Sequence, residues 1–274
     1  MVSAAVTAAI AVLAPAAAAD NSLSQNWAGY AVHGATFQRV SGSWHQPRPI
    51  CQPGQTHYSA MWLGLGGYSL TSGAVEQIGT ELDCVHGHAA SSAWYELVPG
   101  PSRTLALPIR PGDLLAASVT AISGRVTVAI DNLSLHRSFR RTLVPTLLDV
   151  SSAEWILEAP SSCVAGTTSC RTLPLADFRR ATFTSVRVQR AGGMIGGIVS
   201  SGWKRTMISL GPVGTRFVTD RRGGTPVGTA KPTRLTREGS SFAITYRQRY
   251  VPVGALYEAR VRAGPQSLVH RGRS

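Results

Sequence analysis

Residues 153–158 read Ala-Glu-Trp-Ile-Leu-Glu, and this stretch decides what kind of fold the chain adopts. Side chains alternate between the two faces of a β-strand. One face of this strand is formed by Ala153, Trp155 and Leu157. It is apolar and therefore belongs in a core. The other face carries two carboxylates around an isoleucine, namely Glu154, Ile156 and Glu158. The stretch therefore predicts a central strand with one buried face and one acidic face that lines a concave sheet surface.

Short β-rich runs of this kind recur along the chain, and helical periodicity is nearly absent. Turn residues separate the runs about every dozen residues, which predicts a sandwich or barrel. Asp113–Leu135 is predicted to be a hairpin that turns through Ser123-Gly124-Arg125. Residues 190–240 are expected to form irregular strands with long loops. The predicted strands are Phe37–Trp44, Tyr58–Leu65, Ala93–Val98, Leu114–Ala121, Val126–Ile130, Ala153–Leu157, Ala181–Val188, Met207–Leu210 and Phe242–Tyr246.

The first 19 residues predict a signal peptide. They are apolar and uncharged, and they end in small residues before Asp20. A membrane-spanning helix needs about 20 mainly apolar residues, and Pro15 interrupts this segment. A positive n-region, usual in signal peptides, is lacking. We expect a secreted protein in which residues 20–274 form a single β-sandwich domain with a basic C-terminal third.

The four cysteines are spaced as two local pairs. Cys51 and Cys84 flank a strand-like region, and Cys163 and Cys170 bracket a short loop. Four cysteines allow three connectivities, and spacing alone does not choose among them. In an exported protein the expected pairs are Cys51–Cys84 and Cys163–Cys170. The absence of a Cys-x-x-Cys pair argues against a zinc ribbon.

The positive charge is confined to one part of the chain. Residues 1–150 hold eight basic and eight acidic residues, whereas residues 151–274 hold 19 basic and six acidic ones, which accounts for the whole net charge of +13. Such a region could contact an anionic surface. No nucleic-acid-binding motif accompanies the arginines, so we expect no nucleic acid partner. The protein is expected to be a monomer.

Several familiar catalytic motifs are absent, among them Gly-x-Ser-x-Gly, His-Glu-x-x-His and Asp-Thr/Ser-Gly. The segment Cys84-Val-His86-Gly-His88 could offer metal ligands, but two solvated histidines on a loop are the simpler interpretation. We expect neither a metal nor another cofactor. What remains are carboxylates and tryptophans on predicted strands. Trp94 and Glu96 share one face of their strand, as Glu154 and Glu158 do on theirs. The residues alone leave open whether these faces form a groove or an ordinary solvated surface.

A series of short motifs resembles, in order, those of the eqolisins, which are glutamic peptidases. The motifs are Asn26–Tyr30, Val40–Trp44, Ala60–Gly67, Ala74–Gly79, Trp94–Pro99, Pro111–Asp113, Ala153–Glu158, Leu175–Phe178 and Ser241–Tyr246. They cover residues 26–190 and resume near 242. The resemblance implies a concanavalin A-like sandwich of two antiparallel sheets, with the site on a concave face.

The resemblance also implies a catalytic pair, Gln77 and Glu154. Ionised Glu154 would take a proton from water and return it to the leaving amine. The Gln77 carboxamide would donate to the tetrahedral oxyanion and orient the water. Glu158 shares a face with Glu154 and is the alternative base. Because an unperturbed glutamate titrates near pH 4.3, an acidic optimum is expected.

Five further residues complete the predicted site. Glu96 and Glu158 would bind substrate and raise the pKa of Glu154 by like-charge repulsion. The tryptophans expected to wall the groove are Trp27, Trp62 and Trp94, although core packing would also explain each of them.

Two departures from the family pattern, and two rival functions, accompany this interpretation. Gly66 stands where the pattern has aspartate, and the chain is basic whereas the fungal members are acidic. The first rival is a lectin-like carbohydrate-binding sandwich, with tryptophans that stack on sugars. The second is a glycoside hydrolase whose two carboxylates would be Glu96 and Glu154.

Overall fold

A computed structural model describes residues 20–163, 169–212, 217–218, 224–252 and 261–262. These residues contain strands and no helix, and therefore no helix that could span a membrane. The strands are β1 (Asp20–Ser24), β2 (Trp27–His33), β3 (Phe37–His45), β4 (Ala60–Leu65), β5 (Glu76–Val85), β6 (His88–Leu97), β7 (Arg103–Leu105), β8 (Leu114–Ile122), β9 (Arg125–Asn132), β10 (Arg137–Leu143), β11 (Ser152–Glu158), β12 (Ser161–Cys163), β13 (Ser169–Thr172), β14 (Arg180–Arg190), β15 (Ile195–Gly196), β16 (Lys204–Leu210), β17 (Gly224–Pro232), β18 (Phe242–Pro252) and β19 (Val261–Arg262).

The strands form two facing layers, which confirms the predicted sandwich. The first layer has the order β16-β2-β11-β4-β5-β6-β7, and the second has the order β10-β9-β8-β3-β14-β18. Strands β3 and β8 lie against β4 and β5. Strand β17 pairs with both β16 and β18 and so joins the layers along one side. Pairing within the layers is antiparallel, while β1 adds to β16 in parallel.

The core between the layers explains why β11 is central. Its apolar face, Ala153, Trp155 and Leu157, is fully buried there, as its alternation predicts. The indole of Trp155 donates to the Ser41 carbonyl of the opposite layer at 2.9 Å. The other face of β11 points away from this core, and Ile156 belongs to a second, smaller cluster with tryptophans. We call this outer face of the first layer the site face.

All nine predicted strands lie on observed strands, with shifted ends. The predicted hairpin is β8–β9, and its turn is Ser123–Gly124 because Ile122 already pairs with Arg125. Both turn residues have positive φ, 49° and 72°, as the tight turn of a right-twisted hairpin requires. Residues 190–240 contain β15, β16 and β17 among their described part. The predicted signal peptide lies outside the described residues.

One predicted disulfide is confirmed. Cys51 and Cys84 are bonded and tie the loop before β4 to the end of β5. Cys170 is also disulfide-bonded. The backbone of Cys163 lies directly opposite Cys170 in the β12–β13 pair, but the Cys163 side chain is outside the described part of the structure.

Candidate active site

The two predicted catalytic residues lie in one row across the first layer. Glu154 of β11 pairs with Gly64 of β4, and Gly64 pairs with Gln77 of β5. Residues directly opposite one another on neighbouring strands point to the same face. Glu154 and Gln77 therefore rise from the site face on either side of a residue with no side chain. Their strands are separated by about two strand spacings, or about 10 Å.

Gly64 has no side chain, and we call the space above it, between Glu154 and Gln77, the gap; the Trp62 ring comes within 3.3 Å of the position that a Cβ would take there. A Cβ at this position would lie 3.1 Å from Gln77 Cβ and 2.9 Å from the Glu76 carbonyl oxygen. Any side chain here would push into the space between the carboxylate and the carboxamide. The glycine is thus part of the site's shape.

Glu154 is a buried carboxyl group without hydrogen-bond partners. Its side chain is fully buried, and neither oxygen has a hydrogen-bond partner. Burial raises its pKa well above the usual value; the nearby Ser152 hydroxyl lowers it, and repulsion from Asp149 and Glu76 raises it further. An unpartnered buried polar atom costs free energy, so this carboxyl is poised to accept a hydrogen bond from a molecule in the gap.

Gln77 is held in place by the next residue in the row. Its Nε2 donates to Glu96 Oε2 on β6 at 3.0 Å, while its Oε1 is buried without a partner. A carboxamide has two N–H groups, so one remains after Glu96 has taken the other. Burial, and then repulsion from Glu158, raises the pKa of Glu96 to about 8, although the Gln77 bond opposes this. Glu96 is therefore neutral in acid.

Glu158 has a different environment from Glu154. It accepts from Trp62 Nε1 at 2.8 Å and from Asn26 Nδ2 at 3.1 Å, one bond on each carboxylate oxygen. The two carboxylates of β11 share a face, as predicted, yet only Glu154 has both oxygens unpartnered. This difference, invisible in the sequence, separates the two candidates for the base.

The three predicted groove tryptophans lie together on the site face. Trp27 and Trp62 meet edge to face with ring centroids 5.0 Å apart. Trp62 and Trp94 flank Gly79 in the row next to that of Glu154. All three side chains are buried, and they form the smaller cluster with Ile156. The indole nitrogens of Trp27 and Trp94 have no hydrogen-bond partner.

Two acidic residues beside the site were missed by the sequence reasoning. Glu76 precedes Gln77 and points to the opposite, core-facing side, where it pairs with Leu65. It is fully buried without a partner for either oxygen; burial, and then repulsion from Asp149, raises its pKa to about 9. Alternation along β5 could have placed Glu76 with Ile78 on the core face. No pattern marks Asp149, which lies in the loop before β11.

The histidines considered as metal ligands lie on the β5–β6 hairpin. His86 and Gly87 form its turn, and His86 and His88 are both exposed. Within the described ranges, no group of three or more His, Cys, Asp or Glu side chains could hold a metal ion.

The structure is thus a β-sandwich that carries Glu154 and Gln77 in one row on a single sheet face. Comparison with known families gives the more specific assignment. The chain belongs to the peptidase A4 family, the eqolisins or glutamic peptidases, whose family model matches residues 25–218. The match extends into residues 190–218, which none of the sequence motifs covers. Family membership implies polypeptide substrates.

Solved structures agree with the fold. The chain is similar to scytalidoglutamic peptidase in complex with a peptide-based transition-state analogue, with 21% identity, a TM-score of 0.62, and 81% of this chain and 98% of that chain covered. SCP-B, an eqolisin in complex with the tripeptide Ala-Ile-His, has 19% identity, a TM-score of 0.58 and the same coverage. Aspergilloglutamic peptidase from Aspergillus niger has 24% identity and a TM-score of 0.52, with 70% and 99% covered. A search of curated protein sequences gives no match.

Proposed function

We propose that this glutamic peptidase is a secreted acid endopeptidase that uses Glu154 as general base and acid and Gln77 as oxyanion donor. The observation that carries the proposal is the gap above Gly64. On either side of Gly64, two Glu154 oxygens and one Gln77 oxygen are buried without hydrogen-bond partners. A bound water could donate to two of these three acceptors, one on each side chain.

The proposed reaction follows from the groups on either side of the gap. Glu154 accepts a proton from water while the water oxygen bonds to the scissile carbonyl carbon. The carbonyl π electrons move to its oxygen, and the free N–H of Gln77 donates to this oxyanion. When the C–N bond breaks, Glu154 returns the proton to the leaving amine. Glu96 supports the donor by holding the Gln77 amide in one orientation.

The base is assigned to Glu154 because Glu158 is already occupied. Bonds from Trp62 and Asn26 stabilise the ionised form of Glu158 and hold it in place. We infer that Glu158 orients the tryptophan cluster and that Trp27, Trp62 and Trp94 shape the substrate groove with Glu96.

The pH dependence of the proposed activity is set by Glu154. The base must be ionised, so the rate rises with pH as Glu154 loses its proton. Burial shifts this limb above the usual glutamate range, whereas a water that donates to the carboxylate shifts it back down. We therefore expect the acidic limb of the rate to lie above the usual glutamate pKa of 4.5.

The test uses residues 20–274 with a denatured protein substrate from pH 2 to pH 7, with and without pepstatin. Glu154→Gln is expected to lower kcat by about 1,000-fold or more, and Gln77→Ala by about 100- to 1,000-fold, because an oxyanion donor contributes about 2.7–4 kcal/mol. Asp131→Asn, an exposed acidic residue on β9, is the matched control.

The outcomes separate the functions that the sequence left open. Pepstatin-resistant cleavage that disappears in both variants and persists in Asp131→Asn would support the proposal. A folded wild type that cleaves nothing would contradict it, and glycan binding would then test the lectin-like alternative. The glycosidase alternative, with Glu96 and Glu154 as its two carboxylates, is disfavoured because Gln77 lies between them in the row.

Secretion and an anionic partner belong to the same proposal. The apolar leader at residues 1–19 and the Cys51–Cys84 disulfide support export to an oxidising compartment. The net charge of +13 supports contact with an anionic surface. We propose that the enzyme acts as a monomer, which light scattering of the purified protein would test.

A further inference from the structure

The two layers of the sandwich are joined along one side and open along the other. Strand β17 joins them where it pairs with both β16 and β18. At the opposite side the layers end in β7 and β10, and in the described part of the chain each of these strands pairs with one neighbour only. An unpaired strand edge offers backbone N–H and C=O groups to another chain. The open side of the sandwich is therefore able to bind an extended segment.

A cavity of about 660 Å³ lies at this open side and is lined by residues of both layers. We call it the open-side cavity. Tyr95 of β6 and Phe139 of β10 stack on each other between the layers, with ring centroids 5.8 Å apart and planes inclined by 19°. Three leucines, Leu97, Leu105 and Leu143, add to its apolar walls. Sites for small organic ligands are typically cavities of about 300–1,000 Å³ with such walls, so the open-side cavity has the size and lining of a binding site.

Two arginines add positive charge to the open-side cavity. Arg141 lies on the same face of β10 as Phe139 and Leu143, and its Nη1 donates to the Tyr95 hydroxyl over 3.5 Å. Arg103 of β7 pairs with Tyr95 and shares its face. Both arginines line the cavity and are exposed. None of the described residues that line the cavity is acidic, so its charge is complementary to an anion.

We propose that the open-side cavity binds the C-terminal end of an apolar peptide, with its terminal carboxylate on Arg103 and Arg141 and its side chains against the stacked rings. A guanidinium group presents N–H donors that match both oxygens of a carboxylate. The unpaired edges of β7 and β10 bind the backbone N–H and C=O groups of the same peptide. This second feature favours a peptide over a fatty acid, because a fatty acid chain has no such groups to offer.

The open-side cavity is separate from the candidate active site. Tyr95 and Glu96 are neighbours on β6 and point to opposite faces of the first layer. Glu96 accepts a hydrogen bond from Gln77 on the site face, whereas Tyr95 belongs to the core cluster between the layers. The proposal therefore goes beyond the proposed catalytic function and does not depend on which residues carry the reaction. Hydrolysis of a peptide bond creates a new C-terminal carboxylate, so ligands of this class form wherever a peptidase acts.

The experiment compares two probes that differ only in their C-terminal group. N-acetyl-Leu-Phe, with a free carboxylate, and its C-terminal amide are titrated into the protein by isothermal titration calorimetry at pH 6. An α-carboxyl group titrates near pH 3.3–3.7 and is ionised under these conditions. We expect the amide to bind about 10-fold more weakly, because it loses the charge-assisted hydrogen bonds to the arginines. Equal affinities of the two probes would overturn the proposal.

Neighbouring arginines on β10 supply a matched pair of variants. Arg140 and Arg141 are both exposed but point to opposite faces of the strand, so replacing either one changes the net charge equally. Arg141→Gln and Arg103→Gln should each weaken binding of N-acetyl-Leu-Phe by about 10-fold, whereas Arg140→Gln should leave the affinity within about twofold. Equal losses in Arg140→Gln and Arg141→Gln would overturn the proposal, because they would reflect net charge and not the open-side cavity.

Two further measurements test where the ligand binds and what it is. Gln77→Ala should bind N-acetyl-Leu-Phe as tightly as wild type; a loss there, with none in Arg141→Gln, would place the peptide in the candidate active site and overturn the proposal. Octanoate should bind more weakly than the peptide. Binding of octanoate that is lost in Arg141→Gln, without binding of the peptide, would replace the proposed ligand by a fatty acid.

These measurements record binding and not cleavage, so their failure is distinct from failure of the proposed function. A protein that cleaves nothing but binds N-acetyl-Leu-Phe through Arg141 would contradict the proposed function and support the open-side cavity. A protein that cleaves polypeptides but binds the acid and the amide equally would contradict the cavity alone.

Discussion

The two outer faces of the sandwich differ sharply, although both are built on the same core. The site face of the first layer carries buried tryptophans and carboxylates, and four of its members are Trp62, Gln77, Glu96 and Glu154. The outer face of the second layer carries mainly hydroxyl groups and arginines. One row of paired residues across its strands is Arg140, Ala129, Ser118, Ser41 and Arg187.

The difference shows what each face is built to do. On the second layer, Arg140 and Arg187 are exposed and can be satisfied by water, as on the ordinary outer face of an antiparallel sheet. On the site face, carboxyl groups are removed from water, and both oxygens of Glu154 are left without a hydrogen-bond partner, at a cost that no stability argument explains. Burial of such groups is typical of catalytic sites, where shifted pKa values are needed.

Among changes that compare the two faces without removing a catalytic side chain, the largest effect is expected from filling the gap in the site face. Gly64→Ala would place a methyl group 3.1 Å from Gln77 Cβ and should lower kcat/KM by about 100-fold, because a small misplacement of catalytic groups is that costly. The matched change on the second layer is Ala116→Val on β8, which should leave kcat/KM within about twofold. Equal losses from both variants would show that general damage, and not the gap, is responsible.

A smaller effect is expected from the buried acids on the stability of the fold. A carboxyl with a raised pKa is protonated in the folded state and ionised in the unfolded state between about pH 4.5 and its folded pKa, so stability falls as pH rises through that window. Each such group contributes roughly 1 kcal/mol per pH unit. Glu76, with a pKa of about 9, should make the wild type markedly less stable at pH 8 than at pH 5.

The variant Glu76→Gln isolates this contribution. Urea unfolding should show it to be about as stable as wild type at pH 5 and roughly 4 kcal/mol more stable at pH 8. Asp131→Asn, from the solvated face, should keep the wild-type dependence on pH. If Glu76→Gln also keeps the wild-type dependence of stability on pH, Glu76 is not a buried carboxyl with a raised pKa.

The smallest effect on catalysis is expected from the arginines of the second layer. Replacing Arg39, Arg140 and Arg187 together by serine should leave kcat/KM for an uncharged peptide within about twofold, because exposed charges on the far face are screened. The same variant should bind vesicles containing phosphatidylglycerol more weakly at low salt. A large loss of kcat/KM would show that the two faces are not independent.

The sequence predicts the fold well because alternation is a local property. Leu114–Ala121 and Ala153–Leu157 alternate visibly, so the pattern predicts both as strands, and they lie within β8 and β11. Strand β5 was missed as a strand because its buried residues include Glu76, Thr80 and Asp83, which look like solvated polar groups in one dimension. Only packing shows that these side chains lie inside.

The site is predictable in part for the same reason. The motifs around Gln77 and Glu154 mark the pair, yet the contrast between Glu154 and Glu158 depends on which carboxylate Trp62 and Asn26 reach across the sheet. Asp149 depends on contacts between two loops that are far apart in sequence. Such tertiary contacts leave no periodic signal.

The most direct test of the pair across Gly64 is a double-mutant cycle on kcat/KM with Glu154→Gln, Gln77→Ala and the combined variant. If the two side chains act as a unit on one bound water and one oxyanion, the double variant should be no slower than Glu154→Gln alone. Losses that multiply, so that the double variant is slower by the product of the two single effects, would contradict a shared site across the gap.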